Sequence, residues 1–273
     1  MPELPEVETV RRVLANELPG IRVKNTTGKS ITLRRPLDVE RISSLIKNRK
    51  FLTPRRRAKY LLLDLDPPGS LLIHLGMSGQ VQLVDKPAPI RDHTHLTLQL
   101  SDGRELRFVD PRRFGLVDWL EPGAETRDPS LSRLGIEPLD PGLDQALPPL
   151  LHARRAPLKS LLLDQKLVAG VGNIYAAEAL WRAGIHPRRK GNRTSIFRLA
   201  SLASAVQEVL TEAVSRGGTT LRDFAAPGGE MGYFAMQLAV YGRQGEDCLK
   251  CGTTIRSAFI GGRTTAWCPK CQR

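Results

Sequence analysis

With 273 residues, 41% hydrophobic and 25% charged, the chain is long enough for two domains with real cores and is not composed like a disordered protein. Its 41 lysines and arginines outweigh 28 acids, a formal net charge of +13, which suits a polyanionic partner through phosphate neutralisation or else marks a merely basic surface. No apolar run reaches the roughly 18 residues of a membrane span, and no basic-then-apolar leader opens the chain, so neither a span nor a secretory signal is expected.

The opening, Met1-Pro2-Glu3-Leu4-Pro5-Glu6, places a proline after an initiator of the kind that is trimmed. Trimming frees the Pro2 secondary amine beside the Glu3 carboxylate, and an α-amine titrates at about pH 8. Such an amine adding to an aldehyde carbon can lose water only as a charged iminium, an electron sink that drives loss of β groups. The plain alternative is a residue that merely follows Met. Val7, Val10 and Leu14 at i, i+3 and i+7 predict a helix over Pro5–Leu18, closed by Pro19-Gly20. Its positive dipole end lies near Glu3 and Glu6.

From Ile21 to about Trp119 short apolar or alternating runs predict strands: Tyr60–Leu65, Leu71–Leu75, Gly79–Val84, His95–Leu100 and, after an Asp102-Gly103 turn, Glu105–Val109. This pattern fits a β-sandwich or a barrel, with the first helix packed on it. Unusual residues stand in the loops: four cations in Arg55-Arg56-Arg57-Ala58-Lys59, Met77 between glycines, and Phe114 after Arg112-Arg113. Basic loops are commonly solvated and loop Met or Phe commonly tucks inward. Together they also resemble equipment for reading DNA, with apolar wedges and arginines for base edges or phosphates.

Residues 121–157 are proline-rich and predict an interdomain linker with short helices around Leu131 and Leu147. Helices are then expected over Leu158–Gln165, over Ile174–Arg182 with Asn173 as N-cap, and over Ile196–Arg216. The glycine-containing turn Lys166–Gly172 feeding a helix start is either a phosphate site or a capped helix hairpin. Thr219–Phe234 is glycine-rich and reads as a substrate-covering loop or a connector.

All four cysteines fall in two CxxC knuckles, Cys248/Cys251 and Cys268/Cys271, spaced for one tetrahedral S₄ ion. Four thiolates close the sphere, so the metal is structural, zinc being favoured over a rubredoxin-like iron. Strands over Ile255–Phe259 and Thr264–Trp267 flank Gly261-Gly262-Arg263, which predicts a braced hairpin with an arginine at its tip. Such a hairpin either contacts phosphate or simply stabilises the end of the chain.

The motifs MPELPEVET, RRRAKYLLL, HLGMSG, DPRRFG, LLLDQKLVAGVGNIYAAEAL, VYGRQG and CxxC-x16-CxxC, in this order, make the chain resemble the bacterial formamidopyrimidine-DNA glycosylases. The resemblance runs end to end. It implies an α+β fold: a catalytic β-sandwich domain with a leading helix (1–120), a linker (121–157), a helical domain with a helix–two-turn–helix motif (158–235) and a zinc finger (236–273). It implies removal of oxidised purines from duplex DNA followed by β,δ-elimination, one structural zinc, damaged double-stranded DNA as partner, and a monomer working in the cytoplasm at the nucleoid. Pro2 is then the nucleophile, Glu3 its acid/base partner, Lys59 the proton carrier of β-elimination and Arg263 the phosphate binder of δ-elimination. His93, Arg112 and Arg154 match DNA-contacting positions; His74, Lys159, Asn173 and Tyr241 are further phosphate or site contacts. Met77, Arg112 and Phe114 match the trio that fills the space of an extruded base. An endonuclease VIII-like glycosylase for oxidised pyrimidines and a non-catalytic zinc-ribbon DNA binder are the alternatives.

Overall fold

The computed structural model describes residues 2–85, 89–217 and 238–273. The loop expected over Thr219–Phe234 lies outside these residues. The fold is mixed α+β and divides into two compact units, the first ending at Ser132 and the second beginning at Arg133.

In the first unit helix α1 (Leu4–Glu17) is followed by strand β1 (Val23–Gly28), the short β2 (Ile31–Thr32) and β3 (Pro36–Leu37), and helix α2 (Val39–Ile46). Then come β4 (Lys50–Phe51), β5 (Arg55–Arg57), β6 (Tyr60–Asp66), β7 (Ser70–His74), β8 (Gln80–Val84), β9 (Thr94–Leu100), β10 (Glu105–Val109) and β11 (Leu116–Leu120). Apart from the separate β2–β3 pair, they form two antiparallel sheets, β1-β9-β10-β8 and β11-β7-β6-β4 with β5 on β6, so the choice between sandwich and barrel falls to the sandwich. Both sheets share one core, exemplified by Leu61, Leu71, Ile73, Leu96, Leu98 and Phe108. Helix α1 joins it through Val7, Val10, Leu14 and Leu18, each buried and worth roughly 2 kcal/mol. Helix α2 was not foreseen. It is short, yet Val39, Ile42 and Ile46 follow helical spacing and the Asp38 carboxylate caps the Arg41 amide at 2.9 Å.

The second unit carries helices α3 (Leu143–His152), α4 (Leu158–Leu163), α5 (Asn173–Arg182) and α6 (Ile196–Ser215), then strands β12 (Arg256–Ile260) and β13 (Arg263–Trp267). The stretch expected to be a linker is built into the units. Around Leu131 there is no helix, only turns closed by the Asp128 carboxylate on the amides of Ser130 and Leu131. Around Leu147 lies α3, which holds Pro148 and Pro149 in its interior. Interior prolines disfavour a helix by about 3 kcal/mol each, but Leu143, Leu147 and Leu151 are buried in the core formed with α6 and offset this. A small finger core joins Ala177 and Trp181 of α5 to Val240, Ile255 and Ala266.

Candidate active site and nucleic-acid interface

Pro2 is half-buried immediately before α1. Glu3 is the N-cap, and it forms a reciprocal box with Glu6: the Glu3 side chain accepts the Glu6 amide, and Glu6 Oε2 accepts the Glu3 amide at 2.8 Å. Both carboxylates are almost fully buried. Helix starts have orphan amides and a positive dipole end, so two acids are favourable there. Pro2 is thus joined directly to the buried cap of a rigid helix.

Lys59 occupies the second position of the two-residue turn joining β5 to β6, where Arg57 pairs with Tyr60. It is 8% exposed. The arginines before it are not a solvated basic loop. Arg55 bonds Asp64 and Glu125, and Arg56 bonds Glu8 at 3.1 Å.

Two loops abut at the end of the sandwich. Gly76 (φ +61°) lies so close to the other chain segment that a Cβ there would sit 2.4 Å from the Phe114 carbonyl carbon. Only glycine satisfies both the left-handed backbone and that approach. Asp110, fully buried, ties the loops: its Oδ1 accepts the Ser78 hydroxyl at 2.7 Å and its Oδ2 accepts the Gly115 amide at 2.7 Å. The Ser78 oxygen in turn accepts the Arg112 amide at 3.2 Å. Met77 and Phe114 consequently stand out together, 42% and 47% exposed, with the Arg112 guanidinium 5.2 Å over the Phe114 ring. His93 is exposed at the same place, at φ +64°, its carbonyl accepting the Asp110 amide at 3.0 Å. Asp110 was quoted in its motif but given no role by sequence reasoning.

His74 ends β7 and is buried against Tyr60, ring centroids 4.7 Å apart. Burial, with the charges of Arg34 and Lys59, pushes it down to about 3, so the ring is neutral. Its Nδ1 accepts the Gly76 amide at 2.9 Å, which leaves Nε2–H as the donor.

In the second unit a different cluster forms. Asn173 is the first residue of α5 and not its cap, which is Gly172. Freed from capping, its Nδ2 donates to the Thr264 carbonyl at 3.0 Å, next to Arg263. Lys159 is fully buried and donates to the Asn173 carbonyl at 2.7 Å. Lys159, expected as a phosphate or site contact, lies beneath the start of α5. The finger tip, Gly261-Gly262, presses on α4, where a Cβ on Gly261 would meet Ser160 Oγ at 2.6 Å. Arg263 and Arg154 are exposed. Tyr241 is half-buried, and its amide donates to Glu178 at 2.8 Å. Glu178, which sequence reasoning missed, also accepts the amides of Ala239 and Val240. The available signal was a lone acid amid alanines on the buried face of α5.

Among the described residues the four cysteines form a group placed to hold a metal, their sulfurs all within 4.8 Å of one another. A tetrahedral zinc with bonds of about 2.3 Å needs sulfurs roughly 3.8 Å apart. Cys248–Cys271 at 3.9 Å and Cys251–Cys268 at 3.5 Å match it. Hydrogen bonds from Thr253 draw the Cys251 thiol down to about 6, whereas burial and the neighbouring sulfurs push the Cys271 thiol up to about 12, so full ionisation of the four calls for a cation among them. Gln272 supports the site, its Oε1 accepting the Cys268 amide at 2.8 Å while its Nε2 donates to the Ile185 carbonyl.

Known proteins match the whole chain. Residues 1–117 match the formamidopyrimidine-DNA glycosylase N-terminal domain, 134–225 the H2TH domain of the same glycosylases, and 245–273 the zinc finger found in FPG and IleRS. The formamidopyrimidine-DNA glycosylases of Xanthomonas campestris pv. campestris (strain B100) and Stenotrophomonas maltophilia (strain K279a) are each 48% identical over 274 residues, covering 100% of both chains. The structure of the MutM (Fpg) protein from Thermus thermophilus superposes with a TM-score of 0.87 at 40% identity, covering 99% of this chain and 98% of that one. A complex of Lactococcus lactis Fpg with DNA containing an abasic site gives 0.90 at 31% identity, covering 100% of both. The finger match and the sulfur geometry agree on one structural zinc ion, held by Cys248, Cys251, Cys268 and Cys271.

Proposed function

The chain belongs to the formamidopyrimidine-DNA glycosylase family, the DNA glycosylases of base-excision repair, and from that premise we propose how its own residues carry the reaction. After loss of Met1 the Pro2 nitrogen attacks C1′ of a damaged nucleotide, and the base departs with a proton. Glu3, fixed at the start of α1, supplies and takes up protons as the sugar ring opens. The resulting iminium acidifies the C2′ hydrogen; Lys59 takes that proton, the 3′ phosphate leaves as β-elimination completes, and the 5′ phosphate follows in the δ-elimination that Arg263 assists.

The single observation that supports this reading most is the Glu3–Glu6 box, which locks the residue next to Pro2 as the buried cap of a rigid helix. The rest of the machinery fits around it. C1′ is not reachable in a stacked duplex, so the nucleotide must be extruded, at a cost of a few kcal/mol or so. Met77, Arg112 and Phe114 form the wedge that fills the vacated space, with His93 beside them. His74 offers a neutral Nε2–H to a phosphate. Asn173, Arg154, Tyr241 and Arg263 face the backbone elsewhere, and Lys159 acts by bracing Asn173. Solved relatives hold DNA containing Fapy-dG or carbocyclic 8-oxo-G, lesions of guanine, which favours oxidised purines in duplex DNA over the pyrimidine alternative. The net charge of +13 suits a monomer working on DNA at the nucleoid in the cytoplasm. No helix among the described residues is long and apolar enough to cross a membrane.

Borohydride trapping tests the reading. Processed protein with a duplex carrying 8-oxoguanine opposite cytosine is expected to give a covalent adduct, and Pro2→Gly, which leaves a primary amine in place of the secondary one, to diminish it. Undiminished trapping by Pro2→Gly would overturn Pro2 as nucleophile.

A further inference from the structure

A carboxylate that the reaction above does not use lies one turn into α1. Glu8 is 9% exposed and is gripped by three guanidinium groups. Arg11 and Arg12 come from the same helix, at i+3 and i+4, a pairing that any helix surface can make and that is worth only tenths of a kcal/mol, roughly. Arg56 is different. It comes from β5, its side chain is 10% exposed, and its Nε reaches Glu8 Oε2 at 3.1 Å.

The other end of that guanidinium holds a strained piece of backbone. Arg56 Nη1 donates to the Ala58 carbonyl at 3.0 Å. Ala58 opens the two-residue turn at φ +52°, in the left-handed region, and is 1% exposed. A non-glycine residue is strained there, and such a conformation persists only where its surroundings over-determine it. The next residue is Lys59. The direction of the Lys59 stem is therefore set by a turn that a glycine would relax, and the turn is clamped by an arginine that Glu8 holds to α1. That same helix carries Pro2 and Glu3 at its start.

We propose that Glu8 is the positioning residue for Lys59, acting through Arg56 and the Ala58 turn to fix the lysine relative to the helix that carries the nucleophile. This rests on the reading of Pro2 and Lys59 given above. Glu8 touches neither substrate nor reacting atoms; what it controls is whether Lys59 is in place when the C2′ proton must be taken.

The test separates imine formation from elimination, using full-length processed protein and a duplex with a preformed abasic site. Glu8→Gln keeps the shape of the side chain but loosens its hold on Arg56. Borohydride trapping by this variant is expected to stay near wild type, while single-turnover β-elimination falls about 10-fold or more, since misplacing a catalytic group by an ångström costs on that order. Arg56→Lys is expected to do the same, because an ammonium lacks the fork that joins Glu8 to the Ala58 carbonyl. Ala58→Gly added to Glu8→Gln is expected to recover part of the lost elimination by removing the strain. Elimination within about 2-fold of wild type in both Glu8→Gln and Arg56→Lys would overturn the proposal. So would a parallel loss of trapping and elimination matching the unfolded fraction seen by circular dichroism. Failure of the underlying reading looks different: Pro2→Gly would trap undiminished, or Lys59→Ala would eliminate at the wild-type rate, whatever residue 8 is.

Discussion

Ser78 donates its hydroxyl to Asp110 across two loops, at 2.7 Å, and the other oxygen of that carboxylate holds the Gly115 amide. One buried acid thus aligns Met77 with Arg112 and Phe114. Asp110→Asn replaces an acceptor by a donor facing a donor, so a loss of about 2 kcal/mol is expected. Urea unfolding measures this. Extrusion of a fluorescent base analogue in duplex should slow in the same variant, while trapping on a preformed abasic site suffers less.

Gly76→Ala tests the contact between those loops from the other side. The new methyl would collide with Phe114 backbone and occupy φ +61°. A loss of about 2 kcal/mol or more follows from strain and displacement together. Thermal melting reads it, and a variant that melts like wild type would refute the tight apposition.

His74 gives the fold a defined pH response. Above its ordinary value of 6.5 the ring is neutral whether the chain is folded or not, and pH changes nothing through it. Between 6.5 and about 3 only the unfolded chain takes up the proton, so stability falls as the pH falls. The slope through this window is at most about 1.4 kcal/mol per pH unit from this residue. His74→Gln should flatten it in denaturation experiments run from pH 7 to pH 4; an unchanged slope would mean the ring is not held neutral.

Gln272→Ala removes the side chain that joins the Cys268 amide to the Ile185 carbonyl. Zinc affinity, measured by competition with a chromophoric chelator, is expected to drop about 10-fold. Cys248→Ala should lose the ion and with it duplex affinity, since the finger core is too small to stand alone. Metal content and band shift measure the two effects. A Cys248→Ala protein that binds duplex normally without metal would contradict a structural role.

Much of this was readable in the chain because it is local. The CxxC spacing, the α1 periodicity, the Asp102-Gly103 hairpin and the Gly261-Gly262 tip each depend on residues near one another. What was not readable depends on distant partners. Asp110 meets Ser78 thirty-two positions away, and Glu178 meets the amides of Ala239–Tyr241 more than sixty positions on. Lys159 is a phosphate or site contact by the family resemblance; its place beneath Asn173 depends on packing that the sequence does not display. The helix expected around Leu147 is present as α3, and its tolerance of two prolines comes from leucines packed on α6, which the sequence does not display.

Glu3 and Leu4, at 1% and 0% exposure, are closed into the docked start of α1. Anything that has to grip those residues as an extended strand must first undock the helix, so the packing that shapes this end of the chain also guards it.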